Sequence, residues 1–308
     1  MDPLSHCLVG GLTAKTVSDS KRRFWIMTLL GGFPDIDFIA NSWGPWASFL
    51  QHRSMTHSFF GIFLLALMFS FLLRNWDDGP FGIRLFHYSL PLVFHVFCDL
   101  LTSFGVPLLL PFSERQFSLD VVGSVNILPI VIMGTALVWM HRKEIAGWRA
   151  TRVVWVTWAL YLCFLVTGKV FAAKITPMQE GPVTTLPNLY NPFSWRVVEQ
   201  DTSLHVYKYF DVNLISHRSR PIGVAAMPGN DFPVQASMKS EMVQRLIKNN
   251  RWPVVRFFTT TEGWRVEWGN LIFSTRGQVR GKIVVDVSPE GKLRNESKVV
   301  DFWSPANS

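Results

Sequence analysis

The sequence VVWVTWALYLCFLVTGKVFA occupies residues 153–172 and contains one charged side chain, Lys169. A membrane-spanning helix needs about 20 consecutive, mainly apolar residues, so this segment is long enough to cross a bilayer. Further apolar stretches lie upstream, at residues 54–73, 85–112 and 121–140, with a weaker one at 24–40 and a short one at 3–17. The pattern predicts an α-helical integral membrane domain of about five helices over residues 1–174. Buried helices of a large soluble core are the alternative, which the clustering of these stretches in one half of the chain disfavours.

Residues 175–308 have a different character. The segment 175–197 is rich in proline, asparagine and threonine, which predicts a linker and an irregular entry. Beyond it, residues 204–214, 254–274 and 282–288 alternate between apolar and polar side chains and contain many β-branched and aromatic residues, as strands do. Residues 236–250 have the composition of a helix of about three turns. The sequence therefore predicts a small, β-rich α+β domain.

Lysine and arginine in short loops indicate how the helices are oriented, because cytoplasmic loops carry an excess of these residues. Three basic loops, at residues 15–23, 74–84 and 141–152, are assigned to the cytoplasm. This assignment makes a multi-pass inner-membrane protein whose domain 175–308 is extracytoplasmic. The net charge is +8, but no lysine-rich tail or basic stripe occurs, so the partners expected are the lipid bilayer and a lipid-like substrate and not nucleic acid.

Polar side chains from four separate segments fall at the outer level of this predicted membrane domain. Ionisable groups inside a membrane are costly and point to function. The candidates are Asp2 and His6 in the first segment, Asp35 and Asp37 in FPDID, His52 and His57 in HRSMTHS, and His95 and Asp99 in HVFCD.

The spacing of these residues suits metal binding. His95 and Asp99 are four residues apart, so on a helix they share one face. Imidazole and carboxylate are ligands of zinc and manganese, and the candidates are numerous enough for one ion or two. Arg53, between His52 and His57, either binds an anionic substrate group or extends to the headgroups. One of the carboxylates, Asp35 or Asp37, is the expected general base.

Four motifs in order carry a resemblance to a known family. MDPLSHCLVGG at the N-terminus, FPDID, HRSMTHS and HVFCDLLTSFGVPLLLPFS resemble the LexA-regulated, membrane-bound metal-dependent hydrolases of the bacterial inner membrane. The resemblance covers roughly residues 1–175 and implies a metal-dependent hydrolase whose site residues are the eight candidates above. A looser similarity to zinc-dependent phospholipases C implies phosphodiester chemistry.

The expected function is hydrolysis of an ester or phosphoester of a lipid-like substrate at the outer face of the inner membrane. Metal or proton transport is one alternative, although no internal repeat is visible and the polar groups gather at one end. A non-catalytic envelope protein with a structural metal is the other.

Overall fold

The computed structural model of the chain describes residues 2–36, 53–123, 126–177, 181–188, 190–275 and 278–303. It divides into two compact units, Met1–Thr167 with Leu189–Pro192, and Gly168–Asn188 with Phe193–Ser308. The described helices of the N-terminal half are α1 (Pro3–Val17), α2 (Lys21–Gly32), α3 (Phe59–Leu72), α4 (Phe81–Leu100), α5 (Ile127–Arg142) and α6 (Trp148–Ile175). The predicted helical N-terminal half is confirmed.

Side chains at the helix starts explain where three of these helices begin. The Asp2 carboxylate accepts a hydrogen bond from the Ser5 backbone N–H and caps α1. The hydroxyls of Ser20 and Ser58 cap α2 and α3 in the same way. Each cap satisfies a backbone donor that has no partner within the helix.

Within the described residues, two helices are long and apolar enough to cross a membrane, namely α4 and α6. The other apolar helices, α3 and α5, have 14 and 16 residues. At 1.5 Å per residue, α3 extends about 21 Å, which is less than the thickness of a bilayer core of about 30 Å. The expected number of about five spanning helices is therefore not supported. Residues 54–73 begin with a 3-10 turn, Met55–His57, so the predicted segment is longer than its helix.

The surface of α3 is apolar on the side that faces away from the protein. Eight of its side chains are large, hydrophobic and exposed: Phe59, Phe60, Phe63, Leu64, Leu67, Met68, Phe71 and Leu72. A contiguous apolar surface of this kind marks an interaction site for lipid or for another protein.

Helices α1 and α2 cross with their backbones in contact at a pair of glycines. A Cβ atom on Gly10 would lie 3.1 Å from Cα of Gly31 and would overlap the carbonyl oxygen of Met27. A Cβ atom on Gly31 would in turn overlap the carbonyl oxygen of His6. Small residues permit such a close approach of helices. The crossing brings His6, on α1, close to the residues that follow α2.

A buried polar network surrounds Asp77, in the loop between α3 and α4. The carboxylate accepts two hydrogen bonds from the Arg23 guanidinium, both 2.7 Å long, and one of 3.0 Å from the Tyr88 hydroxyl. The Gly79 backbone N–H donates a further bond of 3.0 Å. Burial opposes ionisation, but these bonds and the charge of Arg23 outweigh it and lower the pKa of Asp77 to about 2.

Replacing Asp77 with asparagine is expected to lower the free energy of unfolding in detergent by about 2 kcal/mol at pH 7. Because the folded-state pKa lies below the ordinary value of 3.8, this contribution is present above about pH 4. It is lost as the pH falls toward 2, so melting curves of variant and wild type should converge over that range. Asp78→Asn is the matched control, since Asp78 is exposed and lies 3.9 Å from Arg22. An equal loss in both variants would contradict this role of Asp77.

The second unit contains two antiparallel sheets. The first has the order β1 (Val183–Pro187), β2 (Ser194–Asp201), β3 (Val206–Asn213) and β4 (Arg218–Ala226). The second has the order β5 (Pro253–Thr260), β6 (Gly263–Asn270), β8 (Gln278–Val287) and β7 (Ser274–Thr275), with β9 (Leu293–Trp303) paired to β8. Helices α7 (Phe232–Ser237) and α8 (Glu241–Asn249) lie between the sheets in sequence.

The predicted β-rich domain is thus confirmed, with one correction. The segment 175–197 contains strand β1 and the start of β2 and is not wholly irregular. Leu186 on β1 is buried in the same apolar cluster as Val198 and Tyr207, which explains why this proline-rich segment is ordered as a strand.

Candidate metal centre

Five of the predicted ligand residues lie together in the interior of the first unit. They are His6 on α1, Asp35 in the turn after α2, His57 in the 3-10 turn before α3, and His95 and Asp99 near the end of α4. Each of the five is at most 6% exposed. Residues distant in sequence therefore form one buried cluster of three imidazoles and two carboxylates.

The turn that carries His57 folds back on the first turn of α3. The Ser58 hydroxyl accepts a hydrogen bond from the Gly61 N–H and donates one to the Met55 carbonyl, at 3.0 and 2.8 Å. A Cβ atom on Gly61 would overlap that carbonyl oxygen. The glycine permits this close contact, which fixes the position of the His57 ring.

Four donor atoms of the cluster, here called the primary donor set, are Nε2 of His57, Nε2 of His95, Oδ1 of Asp35 and Oδ2 of Asp99. His57 Nε2 lies 3.1 Å from His95 Nε2, 3.4 Å from Asp35 Oδ1 and 3.5 Å from Asp99 Oδ2. His95 Nε2 lies 3.6 Å from the same oxygen of Asp35 and 3.9 Å from that of Asp99. A tetrahedral zinc ion with ordinary bond lengths places its donors about 3.3 Å apart, so these distances fit such an ion closely.

The other oxygens of both carboxylates face His6. His6 Nε2 lies 3.4 Å from Asp99 Oδ1 and 3.9 Å from Asp35 Oδ2, and these three atoms are here called the secondary donor set. The His6 ring stacks on the His95 ring with centroids 3.7 Å apart. Asp35 and Asp99 therefore each contribute one oxygen to either set.

The protonation of His95 suits a metal ligand. Its Nδ1 lies 2.7 Å from the carbonyl oxygen of Gly31, which can only accept a hydrogen bond. Nδ1 therefore carries the proton, and Nε2 presents its lone pair to the primary donor set. Metal-ligating histidines are commonly oriented by such a bond from their second nitrogen.

Several buried polar atoms of the cluster lack hydrogen bonds. Both ring nitrogens of His6 and both carboxylate oxygens of Asp35 have no hydrogen-bond partner among the described residues. A buried carboxylate without such bonds is costly, and a divalent cation compensates that cost. The residues present thus fit a bound metal ion, and His6, Asp35, His95 and Asp99 could hold one together.

Arg53 points into the cluster. Its Nη2 donates a hydrogen bond of 2.8 Å to Asp99 Oδ1, and its Nη1 bonds the Thr102 hydroxyl at 3.2 Å and the Phe104 carbonyl. The side chain is 8% exposed, so the guanidinium is an internal partner of Asp99. The predicted contact of Arg53 with substrate is not part of this arrangement and stays a prediction.

The remaining predicted site residues have other positions. The carboxylate of Asp2 bonds the N–H and the hydroxyl of Ser5, so it acts in the capping of α1, and ligation by Asp2 stays a prediction. Asp37 and His52 lie outside the described residues.

Three contributors to the centre are absent from the sequence-based prediction. They are the carbonyl of Gly31, which orients His95, and the Thr102 hydroxyl and Phe104 carbonyl, which hold Arg53. Backbone carbonyls carry no sequence signal. The Gly31–Gly32 pair directly before FPDID is the only local indication of a close approach there.

The profile of the YdjM inner membrane protein family matches residues 1–175, more than half of the chain. The chain belongs to this family. No curated protein and no solved structure matches it. The matched range contains all five residues of the cluster, and the family description agrees with the predicted inner-membrane location. Regulation by LexA and similarity to phospholipases C stay predictions.

Proposed function

We propose that this YdjM family protein is a membrane-embedded, metal-dependent hydrolase that cleaves an ester or phosphoester of a lipid-like substrate. The observation that carries the proposal is the primary donor set, in which two imidazole nitrogens and two carboxylate oxygens lie 3.1–3.9 Å apart in the measured pairs. Two-histidine, carboxylate-containing sites are typical of hydrolytic metal ions, of which zinc is the foremost candidate and manganese the second.

The residues that would hold the ion are His57, His95, Asp35 and Asp99. Once bound, the ion supplies Lewis acidity, which polarises the scissile group and makes water a nucleophile near neutral pH. The protein supplies the remaining functions. The hydrogen bond from Nδ1 of His95 to Gly31 fixes the ring, and Oδ2 of Asp35 accepts the proton of the attacking water.

An anionic substrate is favoured by the charge of the centre. Two carboxylates and one guanidinium give the described cluster a charge of about −1 when its histidines are neutral, and one divalent ion makes it about +1. A positive centre in a site shielded from water attracts a phosphoester more strongly than a neutral carboxylic ester. We therefore favour the phosphoester.

The proposed location of the chemistry is the outer face of the inner membrane, in a multi-pass arrangement with residues 175–308 extracytoplasmic. The basic loop 141–152, which contains Arg142, Lys143, Arg149 and Arg152, supports this orientation. Alkaline phosphatase fused after residue 180 is expected to be active, and after residue 147 inactive. Activity of the second fusion alone would reverse the orientation.

A non-catalytic envelope protein with a structural metal is the second candidate, favoured by the burial of the cluster. Every described donor residue is at most 6% exposed, and closed sites are typical of structural ions. Substrate turnover separates this candidate from the hydrolase.

The direct experiment incubates the purified protein in detergent with mixed bacterial lipids, with and without zinc or manganese. The hydrolase is expected to release phosphate or phosphorylated headgroups only when metal is supplied, and the His95→Ala variant to release none. Release of fatty acid alone would reject the phosphoester and retain the hydrolase. A metal-loaded protein without any hydrolytic product would reject the hydrolase and favour the structural metal.

A further inference from the structure

The two donor sets are not equivalent. The primary donor set contains four atoms from four residues, which is a complete ligand set for a tetrahedral ion. The secondary donor set contains three described atoms, and one of them, Asp99 Oδ1, already accepts a hydrogen bond of 2.8 Å from Arg53 Nη2. A cation therefore already lies beside the secondary set, and that cation belongs to the protein.

We propose that the centre binds one divalent ion, in the primary donor set, and that Arg53 takes the place of a second ion on Asp99 Oδ1. This inference rests on the proposed metal centre and deepens it. It makes Arg53 a positioning residue, which fixes how Asp99 divides its oxygens between an ion and a guanidinium.

The guanidinium is held in place by more than Asp99. Its Nη1 bonds the Thr102 hydroxyl and the Phe104 carbonyl, both just beyond α4, and the Thr102 hydroxyl donates to the Asp99 carbonyl at 2.7 Å. The backbone of Arg53 has a φ of 64°, a left-handed conformation that non-glycine residues rarely adopt. A second ion would have to displace a cation that several fixed acceptors hold.

Charge favours the same conclusion. Two divalent ions would raise the described cluster from about −1 to about +3 with Arg53 still present, in an interior that screens charge poorly. One ion gives about +1. The uncompensated positive charge therefore disfavours the second ion while the guanidinium stays.

The inference also assigns a task to the remaining atoms of the secondary donor set. Without a second ion, His6 Nε2 and Asp35 Oδ2 keep their proton-accepting lone pairs, 3.9 Å apart. These two atoms are then available for proton transfer next to the primary set, which a second ion would prevent by binding them.

The test counts ions per chain. Protein stripped with a chelator is dialysed against zinc alone in detergent, and bound zinc is measured by mass spectrometry. We expect one ion in the wild type, two in Arg53→Met, and one again in the double variant Arg53→Met with His6→Ala. Methionine fills a similar volume without charge, so it opens Asp99 Oδ1 to a metal.

Two ions in the wild type would overturn the inference but leave the metal centre intact. One ion or none in a folded Arg53→Met variant would also overturn it, because the guanidinium would then not be what excludes the second ion. No ion in the wild type would overturn the metal centre itself.

A measurement on the wild type alone keeps the inference testable if the variant does not fold. Manganese is added instead of zinc, and its electron paramagnetic resonance is recorded. Isolated ions, without spin coupling, are expected at every manganese concentration. A coupled pair in the wild type would contradict the inference, and the hydrolysis assay is independent of either result.

Discussion

Replacement of His95 with alanine is expected to weaken zinc binding at least about 100-fold, while replacement of His87 leaves it unchanged. Both histidines lie on α4 and both are buried, at 1% and 9% exposure. His95 Nε2 belongs to the primary donor set, whereas His87 Nδ1 lies 3.4 Å from Arg23 Nη1 beside the Asp77 network. The two residues are eight positions apart, about 12 Å along the helix, so His87 is outside the reach of the centre.

The measurement is zinc affinity by competition with a chromophoric chelator, for both variants in the same detergent. A second readout is the melting temperature with and without zinc. A ligand at 100 times its dissociation constant stabilises a protein by about 2.7 kcal/mol, so zinc should stabilise the wild type and His87→Ala but not His95→Ala. Equal loss of zinc in both variants would mean that the imidazoles of α4 act through packing and not as ligands.

Replacement of Gly10 with alanine is expected to destabilise the protein by about 3 kcal/mol and to reduce its zinc affinity. The added methyl group would overlap the Met27 carbonyl oxygen, which is backbone and cannot rotate away. Helices α1 and α2 would have to separate. His6 lies one turn before Gly10, and Asp35 follows α2, so the separation would displace members of both donor sets.

Gly134→Ala is the matched control, since Gly134 also lies inside an apolar helix. A Cβ atom there would meet only Leu8 Cδ2, at 4.0 Å, an ordinary contact. Because alanine is a better helix former than glycine, this variant is expected to be more stable than the wild type by up to about 1 kcal/mol. Thermal unfolding of the two variants should therefore shift in opposite directions. Destabilisation of similar size in both would show that the α1–α2 crossing is not special.

The helices could be predicted from sequence because uncharged apolar runs leave few other structures. Residues 153–172 lie inside α6, and residues 85–100 lie inside α4. The prediction was wrong about the number of spans, since hydropathy extends past helix ends. Residues 54–58 are as apolar in context as α3 itself, but Ser58 caps the helix and ends the turn before it.

The cluster could be predicted in part. The four-residue spacing of His95 and Asp99 places them on one helical face whatever the tertiary structure, and FPDID and HRSMTHS supply the other groups. The direction of the Arg53 guanidinium could not be predicted, since it depends on where the residues beyond α4 lie in space. The capping of α1 by Asp2 follows a local rule that competes with ligation, and the spacing of Asp2 and His6 fits both.

The most direct test of the metal centre is the X-ray absorption spectrum at the zinc edge of protein loaded with zinc. The centre described here predicts nitrogen and oxygen ligands only, at about 2.0–2.1 Å, with the scattering pattern of two imidazoles from His57 and His95. A sulfur ligand at about 2.3 Å, or a spectrum of hydrated zinc without imidazole, would contradict it.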